Sequence, residues 1–401
     1  ALGIGAATAM FSIVNGVLLR PLPYEEPDQL IRIHTQRPGS GRSFGAISQP
    51  EYLDILESTQ SFEAVGLYRF TNVNLSDGDG DPEHLTAYRI MPAVLATLRI
   101  EPALGRPLDP EEGWTGSHRV ALISDRLWKR RFGANPAVVG QSLRILNDSV
   151  EVIGIMPERF EFPSKDVDLW IAYGLDRANP EHRGSHSANI VARLRHEVSV
   201  EQAQSELEIL SRRLRRDYPD TYAEASAFHF VAQPYLENVA GNVRPALLVL
   251  MGAVGFVLLI ACVNVSNLLL ARITGREKEI AIRAALGAGQ GRILAQMLTE
   301  SLLFAVLGGL GALAVAYGAF RTLFLLHPES VPRLGEVELD TNVLLFNLGL
   351  IVLTTAVVGV IPALKISAMT TAEKLKEDGR QGAGGDYQRR VPRLRRRSAS
   401  G

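Results

Sequence analysis

Apolar residues along this chain follow two different rules in different places. In four windows, 1–19, 245–271, 301–320 and 341–364, no Asp, Glu, Lys or Arg occurs. Each window is about as long as the roughly 20 residues a helix needs to cross a bilayer. Between the first and the second, residues 20–243 show the shorter periods of a water-exposed domain. Residues 119–133, RVALISDRLWKRRFG, predict a short apolar strand at 120–123 running into a helix that stops at Gly133. Residues 137–156 alternate like a hairpin turning at Asn147-Asp148. A strand at 190–194 is followed by a helix opening at Ser199, where Gln202 completes a capping box. Ala203, Leu207, Leu210 and Leu214 give that helix one apolar stripe, its glutamates come early and its arginines late, and Pro219 stops it. Another strand begins around 228–231. The expected class is a membrane protein of α+β type, with four transmembrane helices arranged 1+3 and a large α/β domain inserted between the first and second.

Average composition conceals this division. Charged residues make up 21% of the 401 positions and the net charge is −1. Residues 21–243, however, carry 23 basic and 32 acidic side chains, a balance of −9, and the remainder carries 19 and 11, a balance of +8. An ordinary soluble enzyme is excluded by the windows, and nucleic-acid binding gains nothing from an acidic insert. Loop 272–292 holds Arg272, Arg276, Lys278, Arg283 and Arg292 against two glutamates, whereas loop 327–342 holds Arg333 against four acids. The excess of Lys and Arg on cytoplasmic loops places 272–292 and the tail 365–401 inside and 327–342 outside, with the insert outside too. The expected divisions are spans at 1–19, 244–271, 293–326 and 343–364, with 20–243 as the extracytoplasmic domain. The opening run has no basic flank. It reads either as the remainder of a signal peptide, with Ala7-Thr8-Ala9 as a small-x-small site, or as a first span whose upstream part is absent. Cys262 is the single cysteine and lies within a window, so no intramolecular disulfide can form.

A search for catalytic machinery finds little. None of the six lysines follows a glycine, so the chain has no P-loop, and no HEXXH or GxSxG occurs. No cofactor and no enzymatic activity of its own are expected. His182 and His186 have the spacing of paired metal ligands but flank Arg-Gly-Ser, a poor helix, so a solvated loop is expected. Asp77, Asp79 and Asp81 resemble the start of a calcium loop, yet Pro82 stands where its glycine should be. Asn264 and Asn267 share one face of the second window, as interhelical hydrogen bonding would require. The cluster Arg389, Arg390, Arg393, Arg395, Arg396 and Arg397 reads as a solvated cytoplasmic tail able to touch anionic lipid.

The strongest signal is NVSNLLLARITGREKEIAIRAALGAGQGRILAQMLTESLL, residues 264–303. Ile280, Ile282, Ala285 and Leu286 form an apolar edge beside five charges, and Gly287 and Gly289 close the segment, a pattern that suits a short amphipathic helix at the membrane surface. This stretch resembles the coupling region of MacB/FtsX-type ABC transporter permeases. ALGIGAATAMFSIVNGVLLRPLPY is similar to that family's first span, and VALISDRLWKRRFG, VVGQSLRI and VIGIMPERFEFP are similar to its MacB-like periplasmic core domain. Residues 361–375 resemble the segment after its last helix, so an FtsX-like permease domain is expected over 244–380. The wording is closest to duplicated, acidobacterial-type permeases in which a second such unit follows, and the chain is expected to be a fragment of one.

The resemblance implies a multi-pass protein of the bacterial inner membrane, embedded in lipid and paired with a second permease unit. It also implies a partner: a cytoplasmic ABC ATPase that moves the coupling helix and so changes the periplasmic domain. Arg276, Glu277, Lys278, Glu279, Ile280, Ile282, Arg283, Leu286 and Gly287 match the coupling motif and are assigned to ATPase contact on that basis. A regulator of a periplasmic partner protein, moving no cargo, and a membrane-anchored sensor or adhesion protein are the alternatives.

Overall fold

The computed structural model describes residues 2–38, 42–75, 83–145, 148–223, 227–274, 299, 302–303, 305–318, 321 and 340–357. Its elements, in chain order, begin with α1 (Leu2–Val14), β1 (Leu30–Arg37), β2 (Arg42–Gly45), α2 (Gln49–Ser58), β3 (Phe62–Leu75), β4 (Glu83–Ile90) and α3 (Ala93–Leu98). Next come β5 (Leu104–Gly105), β6 (Val120–Ile123), α4 (Asp125–Phe132), β7 (Ser142–Ile145), β8 (Asp148–Ile155) and β9 (Leu169–Ala172). The chain continues through β10 (Asn189–Leu194), α5 (Val200–Asp217), β11 (His229–Pro234), α6 (Tyr235–Ala240) and α7 (Arg244–Thr274). Two shorter apolar helices follow, α8 (Ala305–Gly318) and α9 (Thr341–Val357). The elements group into two compact units, one of Ala1–Arg20 with Val243–Gly401 and one of Pro21–Asn242.

In the second unit, local signals act where the chain carries them. Ser48 and Glu51 form a reciprocal capping box on α2, and Ser199 and Gln202 form one on α5. Ser124 caps α4, which ends at Gly133 with φ +57°, a conformation glycine adopts without penalty. Strand order is β11-β1-β10-β3-β4-β9-β6-β8-β5, with β2 on β1 and β7 on both β3 and β8. The expected hairpin is β7–β8, paired antiparallel from Ser142↔Glu151 to Ile145↔Asp148. The expected strand-helix-strand is β10-α5-β11, but its strands are not neighbours: β1 runs antiparallel between them. That insertion pairs residues about 160 positions apart with β10 and about 200 apart with β11, which no local pattern encodes.

Strands β3, β4, β9, β6, β8 and β7 form a ring that closes where Leu75 of β3 meets Ile145 of β7. Alternation sends Val73, Leu85, Ala87, Ala121, Leu169 and Ile171 inside the ring with Leu127 of α4. Further along the same sheet, Ile31, Ile33, Leu67, Ile190 and Ala192 pack under the stripe Ala203, Leu207, Leu210 and Leu214 of α5. A third cluster, around Leu30, Tyr68, Ile90, Val191 and Trp170, fills the opposite face beneath α3.

In the first unit, α1 together with the π-helical turn Asn15–Leu19 that continues it, and α7, are long and apolar enough to cross a bilayer, over Leu2–Leu19 and Arg244–Leu268. The other two expected spans, 293–326 and 343–364, are described mainly as α8 and α9, each shorter than a full crossing. The four-span arrangement therefore goes beyond what the described residues establish. Ile4, Ala7, Leu258, Cys262, Ala312 and Leu350 form the core of this unit. Gly5 permits close approach, since a Cβ there would stand 3.3 Å from the Ala312 backbone. Phe11 stacks on Phe346 at 4.0 Å between ring centres. Either side of that stack, Asn347 Nδ2 donates to Thr8 Oγ1 at 2.9 Å and Asn15 Nδ2 donates to Asp340 Oδ2 at 2.8 Å. Asp340 also caps α9 by accepting from Val343 N.

Candidate transmission site at the two chain junctions

The second unit is entered through residues 21–29 and left through α6, and both segments are fastened to the same pair of strands. Leu22, Tyr24, Tyr235, Leu236 and Val239 all pack into the cluster containing Leu30 of β1 and Val191 of β10. The incoming segment is further held by Arg193 on β10, whose side chain is fully buried. Its Nε donates to Thr97 O at 2.8 Å, its Nη2 to Glu25 O at 2.9 Å and its Nη1 to Glu26 O at 3.2 Å. A buried guanidinium is tolerated only when its N–H groups are used, and here main-chain carbonyls use them.

The carbonyls point inward because the chain turns sharply. Glu26 has φ +45° directly before Pro27, and Arg99, closing α3, has φ +53°. Non-glycine residues pay for the left-handed region, on the order of 1–3 kcal/mol each, and adopt it only where surroundings dictate. The two meet: Arg99 Nη1 donates to Glu26 Oε2 at 2.7 Å, and Arg99 Nη2 reaches Glu63 at 3.2 Å. The bond from Arg99 holds the Glu26 carboxyl below the usual carboxylate range.

The outgoing segment is secured by Arg32 of β1, whose guanidinium bonds Asn238 Oδ1 on α6 and, at 3.1 Å, Asn189 Oδ1 on β10. Since β1 and β10 pair directly, with Arg32 opposite Val191, the two junctions share one rigid support. The arrangement holds no nucleophile and no base aimed at an open site. What it does is fasten the entering and the leaving segment to adjacent strands of one sheet.

Of the residues singled out in the sequence, the coupling set Arg276, Glu277, Lys278, Glu279, Ile280, Ile282, Arg283, Leu286 and Gly287 lies outside the described residues. So do Asp77, Asp79 and Asp81 and the arginine cluster of the tail. His182 and His186 are both engaged locally. His182 Nδ1 accepts from Gly184 N, whereas His186 Nε2 sits 2.7 Å from Arg37 and 3.0 Å from Glu51. Among the described residues no group of three His, Cys, Asp or Glu is placed to hold a metal ion. Asn264 and Asn267 are exposed on α7, and the interhelical hydrogen bonds expected of them are not formed among the described residues. Arg193 and Arg32 were not anticipated, although a charge inside the apolar strands IVARL and LIRI was the signal.

The sheet domain is thus inserted in the chain between apolar helices, with its entering and leaving segments fastened to adjacent strands. Comparison with known proteins is specific. Residues 1–210 match the MacB-like periplasmic core domain, and residues 251–371 match the FtsX-like permease C-terminal domain. The chain belongs to the MacB/FtsX family of ABC transporter permeases, and both matched domains are permease domains. Among similar proteins, the pyoverdine export ATP-binding/permease protein PvdT of Pseudomonas aeruginosa is 32% identical over 49% of this chain and 29% of its own length. The uncharacterized ABC transporter permease YknZ of Bacillus subtilis is 24% identical, over 70% of this chain and 66% of its own. The macrolide export ATP-binding/permease protein MacB of Burkholderia cenocepacia is 26% identical, over 83% of this chain and 46% of its own. The chain thus spans from under a third to about two thirds of the length of these relatives.

Proposed function

We propose that the chain is the membrane subunit of an ABC-type system of the bacterial inner membrane. A separate cytoplasmic ATPase moves the segment 272–292, and that motion reaches a periplasmic domain through its two junctions. The observation that carries this reading is the paired clamp. With Arg193 and Arg32 fixing the incoming and outgoing segments to adjacent strands, a displacement is handed to the sheet and not absorbed by a loose linker. In this reading all four apolar windows span the bilayer and a second permease unit completes the assembly. Residues 276–287, among them Arg276, Glu279 and Arg283, contact the ATPase. Nucleotide biases an equilibrium between two states, and the chain performs no chemistry of its own. Relatives named as exporters favour movement of a cargo over regulation of a periplasmic partner.

The test is mild extraction of the intact protein from its native membrane and mass spectrometry of what accompanies it, beside a Glu279→Lys variant. A subunit with a Walker A motif that comes with the wild type and is lost with the variant is the expected result. Recovery with both would move the contact away from Glu279. Recovery with neither, in several mild detergents, would turn the reading towards a membrane-anchored sensor or adhesion protein.

A further inference from the structure

The loop between β9 and β10 is tied to the first turn of α2, where Glu181 N donates to Gln49 Oε1 at 3.0 Å. Its His186 faces two incompatible demands. Nδ1 lies 3.0 Å from Gly184 O, an acceptor, and this assigns the proton of the neutral ring to Nδ1. Nε2 lies 2.7 Å from Arg37 Nη2, at the end of β1, and 3.0 Å from Glu51 Oε1, in the first turn of α2. A guanidinium only donates and a carboxylate only accepts. Bonding to Arg37 therefore requires a bare Nε2, whereas bonding to Glu51 requires a proton on it. A proton on Glu51 does not remove the conflict, because two donors would then compete for the single Nε2 lone pair.

Both alternatives are built into the surroundings. Glu51 is fully buried; its Oε2 accepts from Ser48 N at 2.8 Å and its Oε1 from the Tyr222 hydroxyl at 2.9 Å. Those donors are neutral, so a charged His186 is what gives this buried carboxylate an ion partner. Arg37 has a second seat, its guanidinium standing 5.4 Å from the centre of the Phe228 ring. The other charged groups around the loop are committed elsewhere. Arg183 pairs with Asp54 of α2 and lies 4.0 Å over the Tyr218 ring, and Glu181 pairs with Arg69. His182 Nδ1 accepts from Gly184 N.

We propose that His186 is a proton-operated latch: neutral, it holds Arg37 and with it the end of β1; charged, it lets Arg37 go and grips Glu51 on α2. One charge-assisted hydrogen bond is replaced by another, so the proton decides which of two elements the loop is fastened to. Mild acid around the sheet domain thus frees the end of β1 from the loop and tightens the loop on α2. The latch is independent of the junction clamp and of any ATPase contact.

The experiment uses the full chain in lipid nanodiscs with isotope-labelled histidine, the His186 ring signals being identified by their loss in His186→Gln. Magnetic-resonance spectra are taken from about pH 8 to about pH 5, the range in which imidazoles change charge. That range stops above the pKa of about 4 to which burial lowers His34, also on β1. At the upper end the ring should carry its proton on Nδ1 alone, and at the lower end on both nitrogens. Arg37→Met removes the competing cation and should move this change upward by about one pH unit. Glu51→Gln removes the anion but keeps a capping box of the kind Gln202 forms on α5, and should move it downward. A histidine that merely packs would respond to neither. Hydrogen exchange, corrected for the intrinsic effect of pH, gives the second readout. Peptides covering residues 34–37 should lose protection on acidification in the wild type, and show the same lowered protection at both ends of the range in Arg37→Met. The latch is overturned if the ring keeps one protonation state throughout, or if the two substitutions move the change in the same direction or not at all. Protection over 34–37 that does not follow the ring overturns it as well.

Discussion

Two buried residues set how the sheet domain responds to substitution and to acid. Arg193 satisfies three main-chain carbonyls, so Arg193→Met leaves Thr97, Glu25 and Glu26 without that donor inside the fold. The expected cost is about 3–5 kcal/mol, seen as a lower denaturant midpoint, with hydrogen exchange quickened first in residues 24–30. His34 on β1 titrates in the opposite sense to a paired carboxylate. Burial, then Arg32 and His229, lower its pKa to about 4. An unfolded chain takes up this proton near pH 6.5. The unfolded state therefore binds more protons below that pH, and the stability present above pH 6.5 is lost as pH falls towards 4. The loss should be about 2–3 kcal/mol at pH 4 by linkage, and His34→Gln should flatten the pH profile of Tm across that window.

At the scale of elements, the edge of the sheet shows how side chains replace a missing strand. β11 has a partner on one side only. On the other, the Gln204 amide of α5 donates to Phe230 O at 3.0 Å and accepts from Ala232 N at 2.8 Å, as a neighbouring peptide would. Ser211 Oγ accepts from Phe230 N at 3.0 Å, and Arg215 donates to Phe228 O at 2.7 Å. This closes an edge that would otherwise invite pairing with another chain. Gln204→Leu should cost about 1–3 kcal/mol and speed exchange of the Ala232 amide, while Ser205→Ala beside it, on the exposed side of the helix, should do neither. The α1–α9 contact is a membrane counterpart, with two hydrogen bonds flanking a stacked aromatic pair. Asn347→Leu is expected to weaken it by about 0.6–2 kcal/mol in detergent unfolding. Helices α4 and α5 and the β7–β8 hairpin were legible in the sequence because caps, stripes and alternation are local. The split of β10 from β11 by β1, and the use of Gln204 as a stand-in strand, were not, because each depends on what lies alongside.

For the whole molecule, the distribution of charge makes a prediction independent of any partner. With Cys262 replaced by Ala, a cysteine introduced at Ser58 should react with a membrane-impermeant maleimide from the periplasmic side. One introduced at Ser398 should react only after the inner membrane is opened. The reverse pattern would invert the proposed topology. Composition windows, loop charges and the matched motifs determined from sequence alone that this is a membrane permease of its family with an acidic inserted domain, because hydrophobic length and charge bias act additively along the chain. The candidate sites were a different matter. That Arg193 and Arg32 fasten both junctions, and that Arg69 and Arg89 stand opposite one another on neighbouring strands, was decided only by tertiary structure. Pairing strands from distant parts of the chain places those charges within reach of one another, and the strength of a charge–charge or hydrogen-bond interaction depends on that distance and burial and not on separation in sequence.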